Sequence, residues 1–222
     1  NACLKLIGAN SCLILLLSLR DLTKKEFPMR PMVVHPLTRK DRGDNTAANV
    51  PLIHVELDNS IDYMEIKAMP KGAGCGTWST LQIFPPHVGI EGVKKFVVDS
   101  VLRAGSNPCP PLIVGVGIGG PLEEVARLAT EATARPIDQR HSEADIAQLE
   151  EELRAALNMS QIGPMGMGGD TTALAVNIEY SGTHRPWMPV AVNINCWPGR
   201  KAVCRIYKDG TVKQMRKEDS HV

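Results

Sequence analysis

The middle of the chain reads Asn107-Pro108-Cys109-Pro110-Pro111-Leu112-Ile113-Val114-Gly115-Val116-Gly117-Ile118-Gly119-Gly120-Pro121. The prolines predict a rigid connector before Leu112, because proline fixes φ and lacks a backbone N–H. Residues 112–116 form a continuous apolar run, which is typical of a strand that is covered on both faces. The glycines after it predict a turn, and Pro121 predicts the start of a helix, where its missing N–H costs little. A buried strand followed by a helix indicates an α/β fold.

Two amphipathic helices are predicted on either side of this stretch. The first lies between Gly89 and Gly105, where apolar residues recur on one helical face. The second follows a capping box at residues 142–145. Its three consecutive glutamates, residues 150–152, are predicted to lie on the solvated face. The first helix should pack on a sheet.

Shorter apolar runs predict further strands. They occupy residues 52–57, 63–69, 173–178 and 190–194. The first two runs predict an antiparallel pair, and residues 202–212 predict a hairpin that turns at Asp209-Gly210. Together the elements predict an α/β fold of mixed α+β character, in which mixed sheets pack against helices.

The composition excludes several classes of protein. The 222 residues carry 25 Lys+Arg and 24 Asp+Glu, a formal net charge of +1, and 43% of them are hydrophobic. A packed core is therefore expected, while nucleic acid and anionic membrane are not expected as partners, because no polybasic field attracts them. The six cysteines are widely spaced and form no CxxC pair. They indicate a reducing compartment, and we expect the cytoplasm.

The amino end differs from the rest of the chain. Residues 12–19 are an apolar run too short to span a bilayer, and they are interpreted as a buried helix or, less simply, as part of a secretory signal. The chain begins with Asn1 rather than Met, which suggests that an upstream segment is missing. We expect residues 1–28 to be an atypical segment that is distinct from residues 29–222.

Residues 115–120 satisfy G-x-G-x-x-G between a strand and a helix. This pattern occurs in dinucleotide-binding turns, where glycines allow the backbone to approach a pyrophosphate. The acidic residue that should end a second strand about twenty residues later is missing. A nucleotide-binding module is thus an alternative that rests on this string alone.

Cys109 and Cys196 each lie beside a predicted strand end. This placement favours exposure, so both thiols are candidate ligands, although spacing alone favours buried structural cysteines. Residues 70–76 contain three glycines and predict a tight turn whose backbone amides can approach a ligand closely.

Several strings in one order resemble the alpha subunit of class I, iron–sulfur fumarate hydratases and L-tartrate dehydratases. They are Arg30-Pro31 with residues 41–46, Pro70-Lys71-Gly72-Ala73-Gly74, residues 89–96, residues 107–120, Ile162-Gly163-Pro164, and residues 190–196. The similarity extends from about residue 29 to residue 207, which identifies residues 29–222 as a partial catalytic domain of this alpha type.

The resemblance implies a function, a cofactor and a partner. The family binds a [4Fe–4S] cluster through three cysteines, and Cys109 and Cys196 match two of them. The implied reaction is the reversible hydration of fumarate to malate, carried out together with a beta subunit. The site residues implied by the family's motifs are Arg30, Lys71, Gly72, Ala73 and Gly74 for binding the dicarboxylate substrate, and His184 as a catalytic residue. For Arg30 and His184 the alternative is a solvated surface residue.

The chain also departs from the family pattern. The first cluster cysteine of the family lies in a Cys-Gln-Asp-Thr-Gly motif that precedes the arginine matched by Arg30, and neither Cys3 nor Cys12 has that context. Ala73 replaces the middle glycine of the turn, and Cys75 after it resembles the tartrate branch. We therefore expect a truncated or aberrantly started alpha subunit. The alternatives are an L-tartrate dehydratase alpha subunit and a non-catalytic remnant that binds a beta subunit.

Overall fold

The computed structural model describes residues 21, 25, 32–41, 43, 45–46, 50–196 and 201–215. Over these residues the strands are β1 (Met64–Ala68), β2 (Thr80–Phe84), β3 (Leu112–Ile118), β4 (Ala173–Tyr180), β5 (Met188–Cys196), β6 (Ala202–Ile206) and β7 (Val212–Met215). The helices are α1 (Ala73–Trp78), α2 (Gly89–Ala104), α3 (Leu122–Ala134) and α4 (Ala144–Met159). The chain divides into two units, residues 1–68 with 202–222, and residues 69–201. The expected division between residues 28 and 29 falls in a segment that lies almost entirely outside the described residues.

The larger unit contains a mixed sheet in the order β2-β5-β3-β4. Strand β3 pairs in parallel with β4 and antiparallel with β5, and β2 pairs antiparallel with β5. The central position of β3 confirms the buried strand that its apolar run predicts, and the mixture of pairings confirms the predicted fold class. The helices predicted from the patterns at residues 89–105 and 142–157 are present as α2 and α4.

Helices cover both faces of this sheet. On one face α2 and α4 enclose the main core, in which Val97, Leu153 and Leu157 pack against Val114 and the neighbouring strands. On the other face α3 packs directly on β3. The alternation of side chains along a strand assigns residues 112, 114 and 116 to the first face and residues 115 and 117 to the second.

Two glycines of β3 allow α3 to approach the sheet closely. A Cβ added at Gly115 would lie 2.1 Å from the backbone oxygen of Ala129, and one at Gly117 would lie 2.2 Å from that of Val125. Real Cβ atoms do not approach backbone oxygen to such distances. Helix–strand packing therefore accounts for these glycines of the G-x-G-x-x-G string without a nucleotide.

We expect the substitution Gly117→Ala to destabilise the protein by about 3 kcal/mol, the upper range for overpacking, because the new methyl group meets backbone rather than a movable side chain. Gly182→Ala is the matched control, since nothing lies within 4 Å of a Cβ built there. Its effect should stay within about 0.5 kcal/mol. Urea unfolding of both variants measures the difference, and equal midpoints would contradict the packing role.

The predicted solvated position of Glu150 is wrong. Glu150 is only 1% exposed, and its Oε1 lies 2.8 Å from Arg135 Nη1. The same carboxylate accepts hydrogen bonds from the backbone N–H groups of Ile178, at 2.8 Å, and His141, at 3.1 Å. A run of three glutamates does not reveal this role, because the buried member is defined by its partner at position 135, fifteen residues earlier.

Removing this buried charge should be costly. We expect Glu150→Gln to lower the free energy of unfolding by about 3 kcal/mol, because Arg135 is left buried without its full counter-charge. Glu152→Gln, which alters an exposed pair with Lys94, should leave the unfolding midpoint almost unchanged. Similar midpoints for the two variants would show that the buried pair contributes no more than a surface pair.

The smaller unit contains an antiparallel sheet in the order β1-β6-β7. The predicted hairpin is confirmed, with Gly210 in the left-handed region (φ 84°) at the turn between β6 and β7. The predicted pairing of residues 52–57 with residues 63–69 is wrong. Residues 52–57 form no strand, and β1 pairs with β6 instead. An apolar run that lacks a close hairpin turn does not specify its partner.

Two local predictions also fail. The capping box is not formed, because the residue that caps α4 is Glu143 and no side-chain hydrogen bond caps the helix. The glycine-rich residues 72–76 do not form only a turn, because Gly72 is the N-cap of α1 and residues 73–76 are the first four of its six residues. No helix among the described residues combines the length and the apolarity that crossing a bilayer requires.

Candidate active site

Helix α1 is positioned by the sheet strand that follows it. Strand β2 pairs with β5 so that Thr80 lies opposite Val192. Because α1 directly precedes β2 in the chain and β2 is antiparallel to β5, α1 lies beside the last residues of β5, beyond the point where β2 begins. Ser79, which caps α1, accordingly hydrogen-bonds to β5: its Oγ accepts from the N–H of Ile194 at 3.1 Å and lies 3.3 Å from Asn193 Oδ1.

Gly74 brings α1 against the connector that precedes β3. A Cβ at Gly74 would lie 2.7 Å from the backbone oxygen of Asn107, whereas nothing lies within 4 Å of a Cβ at Gly72 or Gly76. Gly74 is therefore required because two backbones approach each other closely there, whereas Gly72 and Gly76 are not required for this reason. This contact places the Lys71–Gly74 string beside the Cys109 connector, as a shared site requires.

Lys71, which precedes α1, hydrogen-bonds to one polar side chain after the last residue of α1 and to another on β5. Its Nζ donates to Asn193 Oδ1 and, at 3.1 Å, to Ser79 Oγ. The residue as a whole is exposed, but its ammonium group ends among partly buried groups. This desolvation lowers the pKa of Lys71, and the nearby Cys75 opposes part of the shift. Lys71 thus fastens the start of α1 to β5 and brings a positive charge to this region.

Cys109 and Cys196 lie at the same end of the mixed sheet. Cys196 is the last residue of β5 and pairs with Leu112, the first residue of β3, while Cys109 precedes Leu112 by three residues. Cys109 is exposed, with a φ of 56°, and Cys196 is half-buried. Both are free thiols. Their accessibility agrees with the exposure that their placement beside strand ends indicates, and not with buried structural cysteines.

Cys75 lies at the same end of the sheet, directly after the Lys71–Gly74 string. Its side chain is buried, and its Sγ donates to the backbone oxygen of Pro108 at 3.7 Å. Burial raises the pKa of the Cys75 thiol to about 11, with a further contribution from a hydrogen bond and charge interaction with Cys196, and Lys71 partly opposes the rise. Cys75 therefore contacts the Cys109 connector and lies near Cys196.

The structure does not bring His184 to this end of the sheet. His184 is an exposed residue in the connection between β4 and β5, which joins the strands beyond Ile118, at the far end of β3. The eight residue steps of β5 separate the two ends by about 26 Å, at roughly 3.3 Å per residue. Arg30 lies outside the described residues. The roles of both residues stay predictions.

Sequence reasoning missed two residues that build the site. Asn193 is 8% exposed and joins Lys71 to Thr130, whose Oγ1 accepts from Asn193 Nδ2 at 2.7 Å. Asparagine at residues 193 and 195, alternating within an otherwise apolar strand, is a signal that buried polar partners exist. Ser79 gave no comparable signal, because serine at a helix end is common.

The thiols suit part of an iron–sulfur site. Thiolates are the ligands that hold iron–sulfur clusters, and Cys109 and Cys196 present accessible sulfur at one end of the sheet. No group of three or more His, Cys, Asp or Glu side chains close enough to hold a metal ion occurs among the described residues. The accessible thiols of the described residues would therefore fit two ligand positions of such a cluster.

The fold and the site together define a class of protein. It is an α/β domain in which free thiols and the glycine-containing helix α1, preceded by Lys71, lie at one end of a mixed sheet. A family model described as fumarate hydratase (Fumerase) matches residues 18–205, a span that includes all the thiols and the lysine of the site. The chain belongs to the fumarate hydratase (Fumerase) family. This confirms the family that the resemblance predicted.

Relatives with curated names agree. A protein of Methanocaldococcus jannaschii, provisionally named L(+)-tartrate dehydratase subunit alpha, is 47% identical over 186 residues, which cover 83% of this chain and 65% of the relative. The L(+)-tartrate dehydratase subunit alpha of Escherichia coli K12 is 34% identical over 188 residues, 85% of this chain and 62% of the relative. The chain thus spans less than two thirds of the length of these relatives.

Proposed function

We propose that this chain is the alpha component of a hydro-lyase that adds water to, or removes it from, a four-carbon dicarboxylate. The observation that carries the proposal is the convergence of Cys109, Cys196 and the Lys71–α1 segment on one end of the sheet. Family membership supports it, because the family model carries the name of a hydro-lyase. The absence of a polybasic surface charge agrees with a small-molecule substrate.

Cys109 and Cys196 would hold a [4Fe–4S] cluster together with a cysteine from outside the described residues. When bound, the cluster supplies an iron without a cysteine ligand, which acts as a Lewis acid toward carboxylate and hydroxyl oxygens of the substrate. The proline-rich connector and the last residue of β5 would hold the two thiols at one end of the sheet. Support of this kind keeps ligands in place.

The chain's own residues bind and orient the substrate. The resemblance assigns Lys71, Gly72, Ala73 and Gly74 to substrate binding, and the structure supports this with a charged ammonium and an exposed glycine string beside the thiols. Lys71 attracts a substrate carboxylate and keeps α1 against β5. Arg30 is proposed to bind a second carboxylate, for which a planar guanidinium is suited because it forms two parallel hydrogen bonds.

His184 is proposed as a catalytic residue on the resemblance alone. If it acts on the substrate, His184→Gln should lower kcat and leave the iron content of the assembled enzyme unchanged. If it is a solvated surface histidine, kcat should not change. Steady-state kinetics with iron analysis distinguishes the two outcomes, and the position of His184 at the far end of the sheet makes this test informative.

A beta subunit is the proposed partner, because the relatives are named alpha subunits. The contrasting proposal is a non-catalytic chain that still binds a beta subunit. Co-purification of the two chains with iron and activity supports the enzyme, and co-purification without either supports the non-catalytic chain. We place the complex in the cytoplasm, where thiols stay reduced.

Two substrates compete within the proposed function. The family model bears the name of fumarate hydratase, whereas the two relatives are named for L(+)-tartrate, so each substrate is supported by one of the two findings. The anaerobically assembled complex should be assayed with fumarate, L-malate and L-tartrate under one set of conditions. Exclusive turnover of tartrate would overturn the fumarate assignment, and turnover of fumarate and malate alone would overturn the tartrate assignment.

A further inference from the structure

Cys75 and Cys196 lie side by side because α1 runs along the end of β5. Strand β2 is antiparallel to β5, and α1 continues its line backwards from Thr80. Ser79, at the end of α1, fixes the alignment through its 3.1 Å hydrogen bond with the N–H of Ile194. From this point the helix and the strand extend in the same direction in space, the helix toward lower residue numbers and the strand toward higher ones.

The two spacings place one thiol beside the other. Four residues of helix separate Ser79 from Cys75, about 6 Å at 1.5 Å per residue. Two residues of strand separate Ile194 from Cys196, about 7 Å at roughly 3.3 Å per residue. The hydrogen bond from Ser79 Oγ to the backbone oxygen of Cys75, at 2.9 Å, fixes the helical turn between them. Both spacings therefore bring Cys75 level with Cys196, and the electrostatic interaction between the two side chains agrees with this proximity.

The third thiol near this end of the sheet is not part of the pair. Cys75 Sγ contacts the connector through the oxygen of Pro108, at 3.7 Å, whereas Cys109 is exposed and its Sγ lies 3.9 Å from the oxygen of Asn107 in its own connector. Cys75 is 2% exposed and Cys196 is half-buried. The pair thus combines one thiol that an oxidant can reach with one that the fold protects.

We propose that Cys75 and Cys196 are a redox-active dithiol that forms a disulfide when the protein meets a peroxide. The accessible Cys196 thiolate attacks the peroxide, breaks its O–O bond and becomes a sulfenic acid, releasing hydroxide. The Cys75 thiol then attacks the Cys196 sulfur, loses its proton and releases the sulfenic oxygen as water. In sum two thiols lose two electrons and two protons, and one hydrogen peroxide is reduced to two waters.

The consequence of this disulfide rests on the proposed function. Cys196 is the proposed cluster ligand, so its sulfur cannot hold iron while it is bonded to Cys75. Oxidation of the cluster-free chain would then end at a reducible disulfide rather than at an irreversible sulfinic acid. The dithiol itself requires neither a cluster nor a substrate, so its test is independent of the hydro-lyase assignment.

The experiment treats the cluster-free gene product that contains this chain with a small excess of hydrogen peroxide. Free thiols are then alkylated, and the disulfides are mapped by mass spectrometry after proteolysis. We expect one new disulfide, between the peptides of Cys75 and Cys196, and its reversal by dithiothreitol. The Cys204→Ser variant is the matched control, because Cys204 lies in β6 of the other unit, and it should form the same disulfide.

A second variant separates the role of Cys75 from simple oxidation of Cys196. In Cys75→Ser we expect Cys196 to proceed to the sulfinic acid at peroxide concentrations that leave the wild-type protein reducible. Sulfinic acid on Cys196 of the wild-type protein, with Cys75 still free, would overturn the proposal. A Cys109–Cys196 disulfide in the wild-type protein would overturn it equally. Both results come from the unmutated protein, so neither depends on the folding of a variant.

Discussion

Cys196→Ser and Cys109→Ser should each abolish stable iron binding and hydro-lyase activity in the gene product that contains this chain, once it is assembled anaerobically with the proposed beta subunit. A serine hydroxyl remains protonated near neutral pH and is a poor replacement for a thiolate, which is the ligand that holds iron–sulfur clusters. Loss of either sulfur also opens the site to water and oxygen. The measurements are iron and sulfide content, visible absorbance and turnover.

The control for these variants is Cys204→Ser. Cys204 is a half-buried thiol of β6, in the other unit of the chain, and the proposal gives it no ligand role. Its substitution should preserve iron content and activity. Full iron content in Cys109→Ser or Cys196→Ser, or an equal loss in Cys204→Ser, would show that the ligand set is wrong.

A second large effect is expected from Gly74→Ala, although neither glycine nor alanine has a reactive side chain. A methyl group at residue 74 would lie 2.7 Å from the backbone oxygen of Asn107, so α1 and the Cys109 connector must move apart. Displacement of about 1 Å in a catalytic site can lower the rate on the order of 100-fold. We expect a loss of this size in kcat/KM, measured with the assembled complex.

Gly76→Ala is the matched control in the same helix. A Cβ at Gly76 meets nothing within 4 Å, and alanine favours helix over glycine by about 1 kcal/mol. Gly76→Ala should therefore keep activity and slightly raise the unfolding midpoint. Equal kinetics for the two variants would mean that the contact between α1 and the connector does not position the site.

Much of the fold could be predicted because its signals are local. The apolar run at residues 112–116 indicates a buried strand wherever it pairs, and the one-face pattern of residues 90–102 indicates helix α2. The partner of a strand is a different matter, because it depends on distant residues. Residues 63–69 predict a strand correctly as β1, but nothing local indicates that β6, more than a hundred residues later, pairs with it.

The site was only partly predictable for the same reason. Resemblance indicated Cys109, Cys196 and Lys71, and the structure places them at one end of the sheet. The contacts of Cys75 and Ser79 with this end arise from the register of β2 against β5, which short spacings do not encode. The burial of Glu150 likewise depends on its pairing with Arg135, and a run of glutamates taken alone favours solvent.

The hydro-lyase assignment is tested by mass analysis of the products formed when the anaerobically assembled complex is given L-malate and L-tartrate together. At least one of the two substrates should yield a product lighter by one water, with no oxidant consumed. This product should disappear in Cys109→Ser and Cys196→Ser. A product lighter by two hydrogens, or water loss that both serine variants retain, would contradict the assignment of this chain to a thiol-held hydro-lyase site.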